Sequence, residues 1–234
     1  MKISPISLNV HNKTNSENVS FCHNESFWKS DYSTKQKLLV AGTTAVGVLG
    51  SMALMAKGQG YSLNPKHFIK NFKNSYFMKA DFLLKEILAM GAGTCLGGLA
   101  GGYMIDKNPQ NRKAKNREAV MQIGNISIPI ATVAAANKLC KNTGKAVRTV
   151  ASLGAIIAGI YLANFSMNKI SNLIFKDKTQ ERSVKATDFS PHLDDVLASA
   201  KYIAPTSVAV HYISRIVPFA LMVAGNEIGN KKAN

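Results

Sequence analysis

Met90-Gly91-Ala92-Gly93-Thr94-Cys95-Leu96-Gly97-Gly98-Leu99-Ala100-Gly101-Gly102 is the stretch whose reading decides the fold. It lies in a run of nineteen residues, 87–105, that carries no formal charge and is bracketed by Glu86 and Asp106. In a helix facing water each glycine would cost about 0.8–1.0 kcal/mol relative to alanine, and such a helix must show a polar face. This run has no polar face. At 1.5 Å per residue it reaches about 28 Å, close to the roughly 30 Å of a bilayer's hydrocarbon core. It reads as a membrane-spanning helix. Gly93, Gly97 and Gly101 recur every four residues, and Gly98 and Gly102 form a second stripe beside them. In lipid, small residues at this spacing let two helix backbones approach closely. The stripes therefore predict a tight helix contact, with another helix of this chain or with a second copy.

The same pattern recurs outward from this run. Uncharged stretches occupy 38–56 between Lys37 and Lys57, 119–137 between Glu118 and Lys138, and 149–168 between Arg148 and Lys169. The stretch 119–137 is the least apolar, because it holds Gln122, Asn125 and Pro129. A fifth block, 202–226, is long enough to span but contains His211, Arg215, Pro205 and Pro218. It reads as a bent fifth helix, kinked at its prolines, or as a segment that dips into the membrane and returns or lies against the other helices. The expected fold is all-α: a multi-pass transmembrane bundle of four to five apolar helices with amphipathic basic linker helices. A polar tail, 1–37, precedes a helical membrane domain, 38–229, and a short tail, 230–234, closes the chain.

The 234 residues carry 29 Lys and Arg against 13 Asp and Glu, a net charge of +16. The cations sit between the apolar blocks and rarely within them. A basic balance fits nucleic acid or an anionic membrane surface. No zinc-finger spacing, aromatic RNA-binding strand or basic-zipper heptad is present, so anionic lipid is the expected partner and nucleic acid is not. In the linker after the first block, Asn64–Pro65 has the form of a helix start. Phe68, Phe72 and Tyr76 then recur at i, i+4 and i+8, with Lys66, Lys70 and Lys73 on other faces. This predicts a basic amphipathic helix lying at the membrane interface. Cys22, Cys95 and Cys140 are far apart and form neither a disulfide framework nor a zinc site. Ser190–Pro191 predicts another helix start. Asp194 and Asp195 read as acids in its first turn, not as metal ligands beside His192. No metal or cofactor is expected. If all five blocks cross, the two faces carry sixteen and twelve lysines and arginines, too small a bias to set an orientation.

His211 and Arg215 stand at i and i+4 on one helical face. An ionisable residue inside a membrane is a functional candidate by default, and Gln122 and Asn125 are its candidate polar partners. No catalytic or nucleotide-binding motif occurs, so no enzyme activity is expected. The expected role is structural or interactive, a scaffold or assembly protein of a membrane, with self-association or a membrane-protein partner through the glycine stripes. The alternatives are a small transporter or pore with Arg215 and His211 at a polar site, and a soluble helical protein with a buried apolar core.

Overall fold

Ser33 starts the first long helix. Its hydroxyl accepts from Gln36 N at 3.3 Å while the Gln36 side chain accepts from Ser33 N at 2.9 Å, a reciprocal cap. The structure, a computed structural model, describes residues 31–80, 82, 84–176, 181–193, 195–197, 199 and 212–233, and among these there is no strand. Helix α1 is Thr34–Gly58, α2 Pro65–Lys70, α3 Tyr76–Lys79, α4 Leu84–Ile105, α5 Pro109–Leu139, α6 Lys145–Phe175 and α7 Val217–Asn230. Four of them, α1, α4, α5 and α6, are long and apolar enough to cross a membrane. Each contains one of the four uncharged runs.

Helix α4 is the hub, packed against α1, α5 and α7, and α5 pairs along its length with α6. Side-chain contacts fix the direction of travel. Tyr32, just before α1, donates to Asp106, just after α4, so α1 and α4 are antiparallel. At the opposite end Gln59 Nε2 donates to Glu86 Oε1 at 3.2 Å. From Asp106 the chain turns into α5 and returns through α6. Asp188 then meets Asn125 midway along α5, and Ser199 O accepts from Thr149 near the start of α6. The segment 181–199 therefore runs down the side of the bundle. Helix α7 runs back parallel to α4, bringing Lys231 to the Asp106 end. The apolar core gathers Val48, Met52, Ile87, Met90, Leu221 and Ile228 from α1, α4 and α7.

Three expectations change. The amphipathic helix over 64–76 is instead three short pieces, α2, a 3₁₀ turn at Phe72–Asn74, and α3. Asn71 leaves helical geometry at φ −119°, ψ 38°, and Ser75 is extended; Asn and Ser compete for backbone groups and favour such breaks. Of the fifth block, 202–211 lie outside the described residues. Tyr212 and Ile213 are helical, and a 3₁₀ turn, Ser214–Ile216, leads into α7, whose fourteen residues span about 21 Å, less than a hydrocarbon core. Pro218 sits in the first turn of α7, where its missing N–H is not needed, and so starts a helix where a kink was expected; Pro205 lies outside the described residues. Finally, the helix expected to start at Ser190–Pro191 is entered through a 3₁₀ helix, Ala186–His192, with α-helical residues following from Leu193.

Candidate functional site

The glycine stripes of α4 face two different helices of the same chain. A methyl group built at Gly93 would come closer than 3.0 Å to Gly47 O, one at Gly97 to Thr43 O, and one at Gly101 to Val40 Cα, all on α1. Built at Gly98 it would meet Gly225 O, and at Gly102 the Lys115 side chain with Gly229 close by. The two stripes thus seat α1 and α7 on adjacent sides of α4. Gly225 and Gly229 are themselves four residues apart, a pairing in the sequence that matches the stripe on α4. Contacts this close add dispersion and Cα–H···O interactions of roughly 0.5–1 kcal/mol each.

Beside this contact lies a buried ion cluster. Arg182, whose side chain is 7% exposed, is ringed by three carboxylates. Its Nε is 3.1 Å from Glu118 Oε1, its Nη1 donates to Asp188 Oδ2 at 3.1 Å, and its Nη2 lies 3.4 Å from Glu227 Oε2. Burial alone would weaken its hold on the proton, but Glu118, Asp188 and Glu227 reverse that and hold the guanidinium charged more firmly than usual. Gln122 Nε2 donates to Glu118 Oε1 at 3.1 Å and to Glu227 Oε2 at 2.6 Å. Thr187 Oγ1 contacts Glu227 Oε1 at 2.5 Å. Asn125 Nδ2 donates to Asp188 O at 3.2 Å, and its carbonyl lies 2.7 Å from His192 Nε2. A carbonyl only accepts, so Nε2 is the donor. His192 Nδ1 lies 3.2 Å from Asp195 Oδ2. The cluster joins α5, α7 and the 181–195 segment, and it brackets the C-terminal half of α4 with the glycine contacts.

A second clasp closes the Asp106 end. Lys115 is fully buried, and its Nζ donates to Gly229 O at 2.8 Å, Lys231 O at 2.6 Å and Tyr32 Oη at 3.0 Å. Burial and the hydrogen bond to Asp106 push the Tyr32 phenol well above its ordinary value.

Of the residues singled out in the sequence, Gln122 and Asn125 lie inside the ion cluster. Arg215 does not join them. It is buried at the opposite end, where Nη1 donates to Phe77 O at 2.7 Å and Ala80 O at 2.6 Å and the guanidinium lies 5.2 Å from the centre of the Phe82 ring. There it ties the chain before α7 to the turn before α4. His211, Asp194 and the Phe68 side chain lie outside the described residues. Lys66, Lys70, Lys73 and Phe72 are exposed, joined by Ile69 and Leu63. Tyr76 instead turns inward, edge-on to Tyr61 with ring centres 5.4 Å apart, and burial followed by the Glu86 charge raises its pKa.

Sequence reading missed Arg182, Glu118, Asp188, Glu227 and Lys115, because Glu118 and Glu227 stand at the margin of an apolar run and Lys115, Arg182 and Asp188 lie in the charged linkers. One signal was there: Glu118 is four residues before Gln122, on the same helical face. Among the described residues no group of three His, Cys, Asp or Glu side chains is arranged to hold a metal ion. No protein-family model matches the chain, no curated protein is similar to it, and no solved structure matches its fold.

Proposed function

We propose that this chain is an integral membrane protein crossing the bilayer with α1, α4, α5 and α6, and that it works as a structural or interaction component of that membrane. One observation carries the reading. The more apolar the spanning-length stretch of eighteen residues in each of the four helices, the smaller its buried share, falling from 56% in α4 through 44% in α5 and 33% in α6 to 22% in α1. A protein folded against water buries its most apolar helices most deeply. Here the most apolar helix, α1, is the least buried. It exposes Leu38, Val46, Leu49 and Leu54, while Lys115, Gln122, Glu86 and His192 are among the largest fully buried side chains. That inversion fits a solvent of hydrocarbon, in which polar groups must be satisfied inside the protein. Exposed Lys66, Lys70 and Lys73, set among Leu63, Ile69 and Phe72 at one end of the bundle, suit anionic headgroups. The paired state of the ion cluster suits a fastening role.

The test is resistance to alkaline carbonate and high salt, with cysteine labelling on the same membranes. Retention, with Cys95 protected from a water-soluble maleimide that labels Cys22, supports the reading. Release by washing sinks it in favour of a soluble helical protein, whereas equal labelling of both would contradict the packing that buries Cys95.

A second reading, a small transporter, is favoured by one specific feature: charged groups gathered beside a span, as in transport sites. Reconstituted liposomes distinguish the two. Solute or ion flux that Arg182→Ala or Arg215→Ala abolishes would replace the structural role, and impermeability across the solute panel would retain it.

A further inference from the structure

Pro129 stands inside α5. A proline in a helix interior has no N–H to give to the carbonyl four residues back, and its ring pushes that carbonyl aside. The carbonyl concerned is that of Asn125. It does not go without a donor: His192, only 1% exposed, brings its Nε2 to 2.7 Å from Asn125 O. A carbonyl only accepts, so the imidazole donates. His192 thus supplies from outside the helix the bond that Pro129 removes within it, and a buried carbonyl left without one is costly.

Both partners are held in place. Asn125 Nδ2 donates to Asp188 O at 3.2 Å, four residues before His192, so one residue of α5 grips the 3₁₀ helix Ala186–His192 with its side chain and its main chain. His192 Nδ1 faces Asp195 Oδ2 at 3.2 Å, a contact that orients the ring. Arg182 anchors the start of the same segment in the ion cluster. Helix α6 presses on the proline itself: a methyl group at Gly159 would come 2.5 Å from Pro129 Cα, and Thr132 Oγ1 donates to Ala155 O at 2.8 Å. The gap in the α5 ladder therefore has α6 against its proline and the 186–192 segment on its carbonyl.

We propose that Pro129 and His192 form a hinge and its strap. Pro129 divides α5 into two rigid halves joined at 125–129. The 186–192 segment, by giving the His192 Nε2 proton to Asn125 O, holds those halves in line. The first half carries Lys115, Glu118 and Gln122, and the second carries Thr132 and its contact with α6. Release of the strap lets one half move against the other. His192 acts here as a positioning residue. This inference holds in lipid or in water and does not rest on the proposed function.

The experiment is a double-mutant cycle on the full chain in one fixed detergent. His192→Phe keeps a buried ring and removes the donor. Pro129→Ala gives residue 129 an N–H of its own, so Asn125 O keeps a donor without His192. Amide hydrogen exchange is followed at 186–192 and at 130–133, the first amides of α5 after the proline. In the wild-type background His192→Phe should speed exchange about tenfold or more in both stretches. In the Pro129→Ala background the same substitution should speed exchange at 130–133 by less than about threefold. His192→Gln, whose amide nitrogen reaches where Nε2 stands, should retain most of the protection. If His192→Phe does not fold, NMR of isotope-labelled histidine in the wild type serves, with His192→Gln assigning the resonance: Nε2 of His192 should bear a proton that exchanges slowly with water, and Pro129→Ala alone should slow exchange at 130–133. A bare Nε2, equal acceleration in the two backgrounds, or acceleration confined to 186–192 overturns the proposal.

Discussion

Asp106 shows how one carboxylate fastens the end of this bundle. It accepts from the Tyr32 hydroxyl, from Asn108 N at 2.9 Å and from Asn111 Nδ2 at 2.7 Å, so it holds the approach to α1 and the turn between α4 and α5 together. Burial alone would raise its pKa. The hydrogen bonds from Tyr32, Asn108 and Asn111, with the nearby Lys115 charge, outweigh burial and hold it below the ordinary carboxylate value. The folded state therefore prefers the ionised form. The stability this gives is fully present above the unfolded value, about 3.9, and is lost as pH falls through the lower folded value. Asp106→Asn should cost about 1 kcal/mol at neutral pH, a modest figure because solvent reaches the site. Thermal unfolding of both proteins from pH 7 to pH 3 checks this: the gap should close in the acid range. A gap that stays constant would mean that Asp106 acts through shape and not through charge.

At the scale of elements, the glycines of α4 differ sharply from glycines elsewhere in the same sequence. Gly97 and Gly98 leave no room for a methyl group, whereas Gly42 and Gly50 on α1 have nothing within 4 Å of where one would be. Gly97→Leu and Gly98→Leu should each destabilise the bundle by about 3 kcal/mol or more, since backbone and not a flexible side chain blocks the space. Gly42→Leu and Gly50→Leu should not destabilise it, since the space is open and leucine favours the helix more than glycine does. Equal effects at all four positions would contradict the packing described. The sequence shows Gly93, Gly97 and Gly101 as a stripe, but not which helix it meets, because both a neighbour and a second copy satisfy the spacing. The four long helices were legible because uncharged runs of nineteen or twenty residues leave little else for the backbone to do. Their ends were not. Lys145 and Arg148 continue α6 beyond its apolar part, and a charge marks the limit of an apolar run without ending a helix. The ion cluster was only half legible. Gln122 and Asn125 stood out as polar groups within an apolar run, whereas Arg182 and Asp188 lie about sixty residues away in a linker whose mixed charges also suit a solvated loop.

For the molecule as a whole, the decisive question is how many times the chain passes from one end of the bundle to the other. Five crossings would put Tyr32 and Lys231 at opposite ends. The observed contacts put them at the same end: Lys115 Nζ reaches both Tyr32 Oη and Lys231 O, and Ala233 N donates to Asn111 Oδ1 at 3.0 Å. The path after α6 runs down through 181–199 and back through α7, so it adds no net crossing to the four long helices. Cys140, which follows α5, marks the far end and is partly exposed. In a membrane this geometry makes a definite forecast. With Cys22 and Cys95 replaced by serine, cysteines introduced as Ser33→Cys and Ala233→Cys should react with an impermeant maleimide from the same side of sealed vesicles. Native Cys140 should react only from the other side or after permeabilisation. Labelling of positions 33 and 233 from opposite sides would require 181–230 to cross once more, which the Lys115 clasp does not permit. The clasp can be tested in the same vesicles. Lys115→Met removes the ammonium that Tyr32, Gly229 and Lys231 share, and should increase the reactivity of both introduced cysteines together, because one buried charge holds both ends.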